Sequence, residues 1–348
     1  LYSLITDNSA AVALNTADIA INTAAIAALP PAGLTSSEVN VEIYASRWTS
    51  RTATLAKYWN AITWSPDLSI FCCITSNGCM TSPDGITWTT RTIQNNGWND
   101  VVWSSDQSQF VAVADNSPAI STSPDGITWT ARTKPDTNFY KGVTYSPSLT
   151  LFCLVAKTGT GDRVATSPDG ITWTSRTSAE DNDWSRVTWS EDLTLFCAVS
   201  KDGTNRVMTS PDGITWTARA AAESNTWNDV VYSPELSLFC AVSSDGTNRV
   251  MTSTDGITWT ARAAAEANAW SSIAWAAELG AFCAVSTDGT NRVMTSTDGI
   301  TWTSQSSTGV GNDFWLCVAW SPELYNFVAA SKYDLVGGLM QTQAGTCC

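Results

Sequence analysis

A seven-residue string returns six times along this chain, and that repetition constrains the fold more than any other feature. It reads SPDGITW at 82–88, 123–129, 167–173 and 210–216, and STDGITW at 253–259 and 296–302. The closing tryptophans, Trp88, Trp129, Trp173, Trp216, Trp259 and Trp302, stand 41, 44, 43, 43 and 43 residues apart. A weaker tail, Trp48-Thr49-Ser50-Arg51, lies 40 residues before the first. A fixed period of this length means one supersecondary unit copied into an array or a ring.

Unit 227–263 shows what each copy contains. Residues 227–232 alternate like a strand, and Ser233-Pro234-Glu235-Leu236 is a turn. A second strand at 238–243, a third at 249–252 and a fourth at 257–262 follow, separated by Asp-Gly turns. Four short strands per period are the signature of propeller blades. The last unit has strands at 315–320, 327–331 and 339–342 but no fourth. The missing strand is present near the start, around Trp48, and pairing it with the C-terminal strands covers two open edges. The expectation is an all-β, seven-bladed β-propeller over 41–348, with 41–53 closing the last blade.

Three aromatic columns support seven. Column one is Trp59, Trp98, Tyr140, Trp184, Trp227, Trp270 and Trp315. Column two, five residues on, is Trp64, Trp103, Tyr145, Trp189, Tyr232, Trp275 and Trp320. Column three is Trp48 plus the six motif tryptophans. All 18 tryptophans fall in these columns, and all five methionines in one third-strand column. Column one opens the first strands, where rings lining one face would stack on sugar, so these seven are candidate ligand contacts.

The motif SxDGxTW, once per blade, resembles the Asp-box of sialidase-like and other BNR-type propellers, although the usual spacer between Asp and Gly is absent. The resemblance covers about 41–342. It implies a structural motif in which Ser and Asp bond the turn backbone, Gly supplies positive φ and Trp fills the space between blades. Asp84, Asp125, Asp169, Asp212, Asp255 and Asp298 are therefore expected to be turn caps.

Residues 1–29 follow another period. Ile5, Val12, Ile19 and Ile26 are seven apart, and Asn8, Asn15 and Asn22 sit seven apart between them, with a stop at Pro30-Pro31. These are a and d positions of a coiled coil, a stalk followed by a linker at 30–40. Asn-at-d layers resemble those of parallel trimeric phage fibres and adhesins. That resemblance implies a homotrimer with Ile5, Asn8, Val12, Asn15, Ile19, Asn22 and Ile26 in its core, and a chloride or other anion at the Asn8, Asn15 and Asn22 layers. No other cofactor and no metal is expected.

Composition narrows the chemistry. There is no histidine, so no imidazole base or metal ligand, and the net charge is −14. Such a balance disfavours nucleic acid and anionic membrane surfaces, and no apolar run is long enough for membrane insertion. A sialidase-like enzyme needs an arginine cluster, yet Arg51, Arg91, Arg132, Arg176, Arg219 and Arg262 follow column three and Arg163, Arg206, Arg249 and Arg292 precede third strands. Only Arg47 and Arg186 escape these columns. Cys72, Cys153, Cys197, Cys240 and Cys283 occupy one second-strand site as buried small hydrophobes, leaving open the pairing of Cys73, Cys79, Cys317, Cys347 and Cys348.

These features lead to a non-enzymatic, trimeric bacteriophage fibre or capsid-projecting protein on the virion surface. It would be assembled in the host cytoplasm, joined to other virion proteins through its stalk, and attached to host-surface glycan or decorating the particle. A cellular trimeric adhesin or lectin at the cell surface, and a sialidase-like glycosidase, are the alternatives.

Overall fold

The computed structural model describes residues 48–54, 58–94, 97–114, 120–305, 314–331 and 339–342. They form seven antiparallel four-stranded sheets. Blade one has strands Trp59–Ser65, Ile70–Thr75, Gly78–Ser82 and Thr89–Arg91, and blades two to six repeat that order beginning at Trp98, Tyr140, Trp184, Trp227 and Trp270. Blade seven is composite. Its strands Trp315–Ser321, Asn326–Ser331 and Leu339–Thr342 are completed by Trp48–Arg51, with Trp48 opposite Thr342 and Arg51 opposite Leu339. The expected closure is thus carried by residues 48–51. The first strands of neighbouring blades pack against one another around the axis, and blade one meets blade seven.

Each sheet is buried on both sides, which explains why the second strands read as unbroken apolar runs rather than alternating ones. In blade one, Phe71 and Cys73 pack with Val328, Ala330 and Leu339 of blade seven, while Cys72 and Ile74 pack with Trp98 and Phe110 of blade two. The five methionines of the third-strand column are all buried. Among the described residues Cys72, Cys73, Cys79, Cys153, Cys197, Cys240, Cys283 and Cys317 are buried free thiols.

The strand order fixes two faces. First-to-second and third-to-fourth turns, which include the SxDGITW motif, lie on one face, here the motif face. Second-to-third turns and the connections between blades lie on the other, the loop face. The stalk core residues Ile5, Asn8, Val12, Asn15, Ile19, Asn22 and Ile26, the linker 30–40 and the closing residues 41–47 lie outside the described residues, as do Cys347 and Cys348.

Candidate functional site: the mouth of the central channel

The motif face is occupied by structural bonds. In blade one the Asp84 carboxylate accepts from the N–H groups of Ile86 (2.8 Å) and Thr87 (2.7 Å) and from the Ser82 hydroxyl (3.0 Å), while Gly85 N–H donates to Ser82 Oγ. Trp88 then donates its indole N–H back to the Gly85 carbonyl at 3.0 Å. Gly85 has φ +70°, and a Cβ there would meet Gln341 and Val328 of blade seven at 2.6 and 2.9 Å, so only glycine fits. Asp125, Asp169, Asp212, Asp255 and Asp298 make the same backbone bonds. Partial burial pushes the Asp84 carboxyl up, but the N–H groups of Thr87 and Ile86 outweigh it and hold it below the ordinary carboxylate range.

Column one is not where a ligand could touch. Trp59, Trp98, Tyr140, Trp184, Trp227, Trp270 and Trp315 are all 0% exposed, so the expected sugar-stacking face is corrected: these rings fill the gaps between blades. Several spend their polar atoms internally. Trp184, Trp227 and Trp270 donate to the carbonyls of Glu180, Glu223 and Glu266, and the Tyr140 hydroxyl donates to Asp136 at 2.7 Å. Column two lies on the motif side. There Trp64, Trp103, Trp275 and Trp320 donate to Glu323, Asp67, Glu235 and Glu278 of the preceding blade at 2.6–2.7 Å.

The residue after column one behaves differently. Every first strand carries a register shift immediately after its opening residue. A bulge leaves one residue out of the ladder and re-aims its side chain. The seven bulged residues are Asn60, Asn99, Lys141, Ser185, Asn228, Ser271 and Leu316, and all line a cavity of about 330 Å3 at the loop-face mouth of the central channel. Arg186, Lys201, Ser244, Ala269 and Thr287 complete its wall. The ring is also a stitch between blades: Asn60, Asn99, Ser185, Asn228 and Ser271 donate to the carbonyls of Trp98, Tyr140, Trp227, Trp270 and Trp315 at 2.6–2.9 Å.

The cavity floor holds a charge cluster. Arg186 lies 3.4 Å from Asp100 and 3.7 Å from Asp229, and donates to the Lys141 carbonyl at 2.8 Å. Asp100 also accepts from Val143 N–H, and Asp229 from Ile273 N–H and the Ser272 hydroxyl. These bonds tie blades two to six together across the axis. Gly142 makes room for them, because a Cβ there would approach Arg186 Cα at 2.9 Å and Val187 N at 3.2 Å. Burial pushes the Asp100 carboxyl up to about 6, which Arg186 and the Val143 N–H only partly offset. Burial likewise raises Asp229 despite Arg186, while the two carboxylates outweigh desolvation and raise Arg186.

Comparison with solved structures shows the ring itself. Streptogramin B lyase superposes with a TM-score of 0.72 at 10% identity, covering 84% of this chain and 96% of that one. The extracellular domain of a hybrid two-component system of B. thetaiotaomicron gives 0.62 at 12%, covering 85% of this chain but 40% of that one. The Swd1 β-propeller domain of Myceliophteria thermophila gives 0.62 at 8%, covering 85% and 99%. At these identities the likeness carries the fold and no activity. No protein-family model matches the chain, and no curated protein does. The chain is a seven-bladed β-propeller whose polar cavity opens at the loop-face end of its axis.

Proposed function

We propose that this propeller is a non-enzymatic binding head, carried on a trimeric virion fibre or capsid-projecting protein of a bacteriophage, with host-surface glycan bound at the channel mouth. The observation that carries the reading is an opposition of faces. Trp48 and Thr342 pair at the motif side of blade seven, so the described chain both begins and ends on the face away from the cavity. A stalk joined there leaves the cavity face outward, and three heads on one stalk gain avidity from individually weak sites.

The non-enzymatic part rests on where the carboxylates are. The motif aspartates are held by turn backbone, and Asp100 and Asp229 are engaged by Arg186 beneath the cavity rather than in its wall. Streptogramin B lyase is by name an enzyme on this same ring, so fold does not separate binding from catalysis.

Light scattering of the chain against residues 34–348 is expected to give trimer and monomer, with an anion held at the Asn8, Asn15 and Asn22 layers of the trimer. A glycan array is expected to show propeller-dependent binding without cleavage. Binding to no glycan would move the role to decoration of the particle. Released sugar would overturn the assignment in favour of the glycosidase, and a secretion signal upstream would favour the cellular adhesin.

A further inference from the structure

The cavity has two unlike halves. In blades two to four its charged side chains are already matched. Arg186 is held by Asp100 and Asp229, Lys141 donates to Asn99 Oδ1 at 3.2 Å, and the Asp183 carboxylate lies against Lys201 and Lys141. The lining residues contributed by blades five, six, seven and one are all uncharged. A ligand that gains from this mouth therefore gains on the neutral side, where nothing charged has to be displaced.

The polar atoms of that neutral half are fixed in place but not all used. Asn60 and Asn228 each donate an amide N–H to the next blade, to the Trp98 and Trp270 carbonyls at 2.6 and 2.8 Å. Those bonds set which way each amide points. Oδ1 of both accepts no hydrogen bond from the described residues and stays open to solvent. Asn99 in blade two is the contrast, because Lys141 occupies the same oxygen there. Ser271 spends its hydroxyl hydrogen on the Trp315 carbonyl at 2.6 Å, which leaves its lone pairs. In ring order, Leu316 comes between Ser271 and Asn60 and is the one apolar residue among the seven bulged positions. With Ala269 it makes an apolar strip flanked by acceptor oxygens.

Such a wall matches a neutral sugar, whose hydroxyls donate and whose C–H face is apolar. Oxygens ordered in advance lose little freedom on binding. A cation would meet Lys141, Lys201 and Arg186 across the mouth. An anion would meet a protein of net charge −14 whose cations at the mouth are already matched. The volume is at the small end of ligand sites, which run from about 300 to 1,000 Å3, so the end of a glycan enters rather than its length.

We infer that the neutral half of the channel mouth binds an uncharged sugar residue, its hydroxyls donating to Oδ1 of Asn60 and Asn228 and its C–H face on Leu316 and Ala269. This rests on the cavity being the glycan site of the binding head. The test is an array pairing neutral glycans with uronate- and sialate-terminated ones, probed with the full chain. Saturation-transfer NMR titrations then use the methyl glycosides of glucose, galactose and mannose with their deoxy and deoxyfluoro forms. Neutral glycans are expected to bind at least as tightly as acidic ones, with affinity changing less than about twofold between 50 and 300 mM NaCl. Fluorine cannot donate. At two hydroxyls of the best-binding glycoside, replacement by fluorine should therefore weaken binding as much as replacement by hydrogen, about three- to tenfold each. Asn60→Leu and Asn228→Leu should each cost about the same factor. Ala269→Trp, which fills the apolar strip without touching either amide, should abolish binding with the melting curve unchanged. Asp212→Ala, on the motif face, should bind as the parent does. A salt-sensitive preference for acidic glycans, or fluoro forms that bind as well as the parent sugar, would overturn the inference while leaving the binding head intact. Neutral binding unaffected by Ala269→Trp would place the ligand elsewhere and overturn it too. Binding to no glycan at all would remove both readings together.

Discussion

On the motif face, six turns make one set of bonds, and the Asp-to-backbone distances hold at 2.7–2.8 Å from Asp84 in blade one to Asp298 in blade six. On the loop face, the seven bulged positions hold three Asn, two Ser, one Lys and one Leu, and the next positions hold Ala61, Asp100, Gly142, Arg186, Asp229, Ser272 and Cys317. The same backbone supports both. Where the repeat is kept, side chains serve the ring. Where it is broken, they converge on the axis and line a polar cavity at the loop-face mouth.

The ring is most vulnerable at its seam. Deleting residues 41–52 removes the strand that covers Leu339–Thr342 and takes Trp48 out of the core it shares with Phe327, Met340 and Trp315. Loss of a buried tryptophan alone costs about 3–5 kcal/mol, and an open sheet edge adds to it. Calorimetry should show the melting temperature falling by about 10 °C or more. An unchanged melt would mean that the ring does not depend on its closing strand.

A smaller but more informative break is Arg186→Met. Asp100 and Asp229 would then lie buried without their cation, and breaking a buried pair costs about 3 kcal/mol or more. The two faces should answer pH with opposite sign. Asp100 has a raised value, about 6, so the folded state takes its proton more readily than the unfolded chain. Its contribution to stability grows as pH falls from about 6 towards 4 and is lost as pH rises through that window. The motif aspartates have lowered values. Their contribution is present above the unfolded carboxylate value and is lost as pH drops below about 4. Urea unfolding of R186M should therefore show a larger deficit against the parent at pH 8 than at pH 5. An equal deficit at both would mean that the acids do not carry the cost.

The ring was legible because repetition and a missing strand are properties of the chain alone. Column one was misplaced for a reason the sequence hides. Periodicity locates a position in a strand, but a backbone bulge one residue later decides which side chain turns towards the axis. Nothing in the letters Trp-Asn or Tyr-Lys announces that bulge. Arg186 did stand out, as an arginine outside the repeat columns. Its partners did not, because Asp100 and Asp229 come from Trp-Asn-Asp-Val-Val strings that read as ordinary first strands three blades apart. Closure of the ring, not local sequence, brings those carboxylates to one guanidinium.

The finest test concerns the equivalence of the motif turns. Asp212→Ala in blade four removes an acceptor from the N–H groups of Ile214 and Thr215 and from the Ser210 hydroxyl. The turn stays exposed at Ile214, so water can replace part of what is lost, and the cost should resemble that of a missing helix cap, about 1 kcal/mol. The same substitution at Asp255 removes the same three bonds. The two variants should melt within about 1 °C of each other, both about 2 °C below the parent, because each loses the same bonds and the two turns share no hydrogen-bond partner in those bonds. Their double variant should then show the sum. A deficit much larger at one turn than the other would show that the motif face is not the uniform scaffold its bonds describe, and that some turn there has been recruited for a contact of its own. Equal deficits, alongside glycan binding that neither variant changes, would leave the broken positions around Lys141 and Arg186 as the part of the repeat that distinguishes this propeller from a plain ring.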